Sequence, residues 1–128
     1  QDAVVGPVTY DLVSLCKDAY VYWDEERVLD WVIRYWEKAR KAGLPLSADF
    51  AEFYRDFEWM GVQRHLKILG IFARLNYRDG KATYLDDMPL VMNYLRKACH
   101  RYSELHLLHN LLDELNPTES DQKIGYTF

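Results

Sequence analysis

The sequence predicts an all-α fold, a bundle of five or six helices joined by short turns. Apolar residues recur with a 3.6-residue period in almost every segment, and no segment alternates convincingly as a strand. Turn chemistry falls between the periodic runs: Gly6-Pro7, Gly43 ahead of Leu44-Pro45, Gly80, and Asn116-Pro117. With 128 residues, 49% of them apolar and 15% aromatic, the chain has room for one domain with a real core and little room for two.

The first helix is expected to start near Thr9, after the Gly6-Pro7 turn, and to bury Leu12, Leu15, Cys16, Ala19 and Trp23. The second is better marked. Asp24 is a good N-cap, Glu25 and Glu26 suit the positive end of the helix dipole, and Lys38, Arg40 and Lys41 suit the negative end. Its inner stripe is Val28, Val32, Tyr35, Trp36 and Ala39, and Gly43 supplies a left-handed stop. Ser47 is expected to cap a third helix in which Phe50, Phe53, Tyr54 and Phe57 share one side. Gly61 either ends that helix or bends a longer one running to Tyr77. The run from Val62 to Tyr77 is apolar on most sides through Leu66, Ile68, Leu69, Ile71, Phe72 and Leu75, as in a central helix wrapped by others. Within it Gly70 would let a neighbouring helix approach closely, and Gly80 closes a tight turn.

Asp86 or Asp87 caps the next helix, with Pro89 in its first turn, where the missing N–H costs nothing. Val91, Met92, Leu95, Cys99 and Tyr102 form its inner stripe. Ser103 is expected to cap a last helix carrying Leu105, Leu108, Leu111, Leu112 and Leu115. Residues 1–8 form an entry loop to a helical domain over 1–116, and 117–128 lack any period and suit a flexible tail.

Composition narrows the function classes. A net charge of −4 gives no whole-chain reason to expect nucleic acid as a partner. No apolar stretch approaches the ~20 residues that span a bilayer, so no membrane partner is expected. Cys16 and Cys99 each sit in an apolar helical pattern, as small core residues of a reducing compartment do. Together these predict a cytoplasmic domain.

No complete active site is visible. His106 and His109 lie three apart but lack further ligands in pattern, so they read as a solvated face and no metal site is predicted. His65 has no nucleophile and orienting partner at recognisable spacing, which favours a packed, hydrogen-bonded histidine over a catalytic one. A cationic stripe is more suggestive. At ~100° per residue, Arg64, Lys67, Arg74 and Arg78 fall within an arc of about 80° on one helix. Such a stripe suits a carboxylate or phosphate; alternatively it is the helix's solvent face, paired with acids such as Asp56 and Glu58. Trp31 and Trp59 are the tryptophans whose spacing brings them to a rim.

The entry segment QDAVVGPVTYDLVSL, with Gly6-Pro7 followed by Tyr10-Asp11-Leu12, resembles the segment just after the metal-binding aspartate of aminoglycoside-phosphotransferase-like kinases. The run FEWMGVQRHLKILGIFARLNYRDGKATYLDDMPLVMNYLRKA is similar to the carboxy-terminal half of one subgroup, the bacterial kinases of N-acetylmuramate and N-acetylglucosamine. The likeness covers about residues 1 to 115.

The resemblance implies the C-terminal helical subdomain of a protein-kinase-like fold, the substrate-side portion of an amino-sugar phosphotransferase. It implies ATP and Mg²⁺ for a full-length parent and no cofactor in this chain. Kinases of this kind need a cover for ATP, a phosphate-binding lysine, a catalytic aspartate and metal-binding Asn and Asp residues. The 128 residues match none of these motifs, so the chain alone is expected to be inactive. Asp11 corresponds to a family aspartate that braces the catalytic loop, and Asp2 would border the metal site. Trp59, Arg64, His65 and Lys67 are implied as a patch for an acidic amino sugar. The competing expectation is a non-enzymatic helical binding or assembly module that holds an acidic partner on the cationic stripe. In the kinase reading the apolar entry face around Val4, Val5, Pro7 and Val8, which the rest of the parent would cover, is expected to drive self-association of the chain to a dimer.

Overall fold

The structure, a computed structural model, describes residues 5–80 and 88–115. Among them are five α-helices and no strand: α1 (Thr9–Cys16), α2 (Glu25–Lys41), α3 (Phe50–Asp79), α4 (Met88–Arg101) and α5 (His106–Leu115). A single 3₁₀ turn, Ser103–Leu105, joins α4 to α5. The all-α bundle predicted from periodicity is the observed fold.

α3 is the spine. It runs unbroken for 30 residues, roughly 45 Å at 1.5 Å per residue, and packs chiefly against α1 and α4. Gly61 therefore neither ends nor breaks it. Its bare Cα lies where α1 crosses: a Cβ there would stand 3.6 Å from Lys17 Cδ and 3.9 Å from Val13 Cγ1. Gly70, expected to admit a neighbour, faces open space with nothing within 4 Å. Replacing it by alanine removes backbone freedom from the unfolded chain without a clash. Gly70→Ala is expected to stabilise by about 0.5–1 kcal/mol, measured as a higher urea midpoint at unchanged slope.

Three apolar clusters lie along this spine. The first joins α1, α2 and the start of α3 through Leu12, Val13, Cys16, Val28, Val32, Phe53 and Phe57, with Trp36, Phe50 and Tyr54 packed against it. The second joins α3, α4 and α5 through Val62, Leu95, Ala98, Cys99 and Leu112. Ala19, Phe72 and Val91 form the third. Both cysteines are free and buried, as their apolar settings predicted.

Several expected positions differ. α1 ends at Cys16, so Ala19 and Trp23 pack from the irregular segment beyond it. Leu15 is 75% exposed, because the buried face is centred on Leu12, Val13 and Cys16, and Leu15 lies about 100° away from Cys16. Leu66 and Ile71 are likewise exposed, so α3 is central but not wrapped on every side. Leu111 also faces out.

Asp24 caps α2 as expected, its carboxylate accepting from Arg27 N at 2.9 Å. Gly43 and Gly80 both adopt the left-handed conformation. The cap of α3 is Asp49, accepting from Ala51 N; Ser47 instead accepts from Asp49 N and donates to Glu52 Oε2 at 3.1 Å. Ser103 opens the 3₁₀ turn and does not cap α5. Asp2, Val4, the Asp86/Asp87 cap, the side chain of Leu115 and the 117–128 tail lie outside the described residues. No helix among the described residues is long and apolar enough to cross a membrane.

Candidate functional site

One open cleft has the dimensions of a small-molecule site. It encloses about 700 Å³ between the entry loop, the loop after α2 and one face of α3. Phe53 and Met60 give it an apolar floor; Gly6 to Thr9 and Pro45 to Ser47 form its walls. Asp56 and Gln63 supply polar groups and Trp59 an indole ring from successive turns of α3.

Local bonds explain why these segments stay in place. Trp36 Nε1 donates to the Ser47 carbonyl at 2.9 Å, tying the loop after α2 to the first cluster. Tyr10 N donates to the Pro7 carbonyl at 3.1 Å, turning the entry loop into α1. Trp59 is held by Arg55, whose guanidinium lies 4.7 Å from its ring centre, and by the edge of Tyr102. Arg55 is itself tethered to Glu104 at 2.9 Å. The Trp59 indole N–H is buried in the cleft wall with no hydrogen-bond partner among the described residues.

The side of α3 that carries Glu58 has different chemistry. Glu58 is 1% exposed, and its carboxylate pairs with Arg101 of α4, which also pairs with Glu25 of α2. One guanidinium therefore clamps three helices. Burial pushes Arg101 down, but the Glu25 hydrogen bond and the charges of Glu58 and Glu25 more than reverse this and raise its pKa. The hydrogen bond from Arg101 in turn lowers Glu25. Beside Glu58 and Arg101, Lys17 lines a small cavity of about 30 Å³, and its ammonium lies 5.2 Å from the Phe57 ring centre. Burial lowers its pKa, with Glu58 opposing. Burial and the neighbouring Glu58 charge push Tyr102 up to about 12 and raise Tyr54 as well.

The four residues implied as a sugar patch are not brought together. Trp59 lines the cleft. Arg64 is half-buried across the ring of Tyr10 and borders a different, 220 Å³ hollow with Ile68 and Phe72. His65 is 1% exposed, stacks on Tyr94 at 4.9 Å, and donates from Nε2 to the Lys17 carbonyl at 3.1 Å, satisfying an end carbonyl of α1. It is thus packed inside the bundle, away from any acidic ligand on the surface. Lys67 is exposed one turn beyond Gln63 and is not among the side chains that line the cleft. Asp11 stands exposed in the first turn of α1. Glu58, offered above as an acid for the cationic stripe, is the interior partner of Arg101, and Arg78 instead pairs with Asp79 at 3.9 Å.

Burial lowers the His65 pKa to about 4, against an ordinary value of 6.5. Between those values the unfolded chain binds a proton that the folded chain does not. The stability His65 contributes is therefore present above about pH 6.5 and is lost as pH falls toward 4. Wild-type protein is expected to lose about 2 kcal/mol from this residue between pH 7 and pH 5. Urea titrations at the two pH values test it, and His65→Gln should flatten the difference.

His109 Nδ1 approaches Asp113 Oδ2 at 3.3 Å and its ring neighbours His100. No group of three His, Cys, Asp or Glu side chains among the described residues is placed to hold a metal.

Over its full length the chain is 61% identical to the N-acetylmuramate/N-acetylglucosamine kinase of Neisseria meningitidis serogroup B. Over 115 residues it is 50% identical to the protein of that name from Pseudomonas putida and 53% identical to that from Pseudomonas aeruginosa. It spans 38% of the first protein's length and 34% of each of the others, so it matches little more than a third of these curated relatives. No protein-family model matches the chain, and no solved structure matches it.

Proposed function

We propose that this chain is the sugar-side helical part of an ATP-dependent amino-sugar kinase of the aminoglycoside-phosphotransferase-like kind. The 61% identity of the whole chain to 38% of the length of an N-acetylmuramate/N-acetylglucosamine kinase carries the proposal. The cleft supports it: a site of about 700 Å³ holds a monosaccharide derivative, with Asp56 and Gln63 as hydrogen-bonding groups and the Trp59 indole ring as an apolar wall.

In this reading Asp11, at the exposed start of α1, braces a catalytic loop supplied elsewhere in the longer protein, accepting backbone N–H bonds as carboxylates there do. ATP and Mg²⁺ belong to that longer protein.

A coupled assay of ADP formation tests the proposal. A protein joining this chain to segments equivalent to the rest of its relatives is expected to consume ATP when given N-acetylmuramate or N-acetylglucosamine. The 128 residues alone are expected to consume none. No turnover of either sugar by the joined protein overturns the proposal.

The cationic stripe favours a second reading, an assembly module for an acidic partner. Lys67 and Arg74 are exposed and have no acidic partner among the described residues. Val5 and Val8 of the entry loop and Leu15 of α1 are also exposed. A dimer formed through that apolar face would cover them, and sedimentation velocity at tens of micromolar is expected to show it, in the range of ordinary interface affinities.

A further inference from the structure

We infer that His100 of α4 and His109 of α5 form a two-histidine site for a divalent transition-metal ion such as Ni²⁺, with water completing its shell. The inference is independent of the sugar reading, since neither histidine lines the cleft.

Helix packing brings the two imidazoles together. α4 and α5 meet through Leu95, Cys99, Leu108 and Leu112, so His100 follows one buried residue of that seam and His109 follows another. Their ring centres lie 6.2 Å apart, with the planes inclined by 50°. An ion bonded to an imidazole nitrogen at about 2.0–2.1 Å stands about 3.2 Å from the ring centre. Two rings sharing one ion then have centres about 5.2 Å apart at a tetrahedral angle and about 6.4 Å apart when opposed. The observed separation falls inside that interval. His100 is exposed and His109 half-buried, so water can reach the remaining positions. The spacing that stands out in sequence, His106 with His109, is a different pair.

A ligand must also present a lone pair. Asp113 Oδ2 stands 3.3 Å from His109 Nδ1, which favours the proton on that nitrogen and leaves the Nε2 lone pair for an ion. A carboxylate behind the ring is the usual orienting partner of a metal-bound histidine. Arg96 of α4 lies 3.5 Å from the same carboxylate and ties it across the seam. The other cations of this stretch of α4 are engaged elsewhere: Lys97 lies over the Tyr22 ring, and Arg101 pairs with Glu25 and Glu58. Paired imidazoles suit Ni²⁺, Cu²⁺ and Zn²⁺, whereas Mg²⁺ takes oxygen ligands. The site therefore differs in chemistry from the Mg²⁺ that accompanies ATP.

Isothermal titration calorimetry of the untagged 128-residue chain with NiCl₂ tests the pair, using wild type, His100→Asn, His109→Asn, His106→Asn and Asp113→Asn. One Ni²⁺ site per chain is expected in wild type. His100→Asn and His109→Asn should each weaken it by about tenfold or more, as loss of one of two imidazole ligands requires. Asp113→Asn should weaken it by about tenfold, and His106→Asn should leave it unchanged. An ion held by both helices binds only the folded chain, so saturating Ni²⁺ should raise the wild-type thermal midpoint and EDTA should reverse the rise.

A wild type that neither binds Ni²⁺ nor gains in midpoint overturns the site. Wild-type affinity in His100→Asn, or an equal loss in His106→Asn and His109→Asn, overturns the pairing across the two helices. Unchanged affinity in Asp113→Asn overturns the orienting role of that carboxylate.

Discussion

Arg101→Leu is expected to lower stability by about 3–5 kcal/mol, because it strips the buried Glu58 carboxyl of its guanidinium partner. The guanidinium also pairs with Glu25, so the substitution unties α2 from α4 as well as α3 from α4. A thermal midpoint lower by roughly 10–20 °C follows for a chain of this size. The informative control is the double variant Arg101→Leu with Glu58→Leu. Removing both charges together removes the stranded carboxylate, and well-packed apolar replacements for a buried pair are often neutral or stabilising. Recovery of most of the lost midpoint in the double variant, measured by circular dichroism, is the expected outcome. A single variant as stable as wild type would show that the clamp carries no weight.

Phe57→Ala is expected to cost about 3–5 kcal/mol, the usual range for deleting a fully buried aromatic ring. Phe57 is 0% exposed at the centre of the first cluster, stacks on Tyr54 at 5.7 Å and lies beneath the Lys17 ammonium. Its loss opens a cavity and removes the apolar surface on which a cation is held. By contrast Leu15→Ala and Leu66→Ala, both at exposed leucines, are expected to stay within about 0.5 kcal/mol of wild type. Guanidinium titrations of the three variants separate these outcomes directly.

The contrast between Phe57 and Leu66 also marks what the sequence made legible. A 3.6-residue period identifies a helix and the side it buries, and the strong caps at Asp24 and Gly43 placed both ends of α2. Periodicity does not report how wide the buried stripe is. That width depends on how many neighbours a helix has, so Leu15, Leu66 and Ile71 looked interior and lie outside. Ser47 was the expected cap of α3, but Asp49 holds that place, while the Ser47 carbonyl accepts from Trp36 across eleven positions, a contact that local sequence does not announce.

The polar interior was the least legible part. Glu58 carries no local mark of burial; a glutamate in a helix ordinarily faces water. Its placement depends on Arg101, 43 positions later. His65 shows the opposite case. Its lack of a nucleophile or orienting partner in sequence favoured a packed histidine, and the Lys17 carbonyl and Tyr94 ring supply the packing. The cleft arises from segments that meet only in three dimensions, at residues 6–9, 45–47 and 53–63. Asp56 and Gln63 gain interest from that meeting and from nothing in their own neighbourhood.

The unbroken course of α3 has an evolutionary corollary. Phe57 faces one cluster, Val62 a second and Phe72 a third, all on one rod. Inserting or deleting one residue between Phe57 and Phe72 would swivel everything beyond it by about 100° and shift it by about 1.5 Å. Homologous chains should therefore hold that stretch at constant length and absorb their gaps at 17–24 and 42–49, where the backbone leaves the helices.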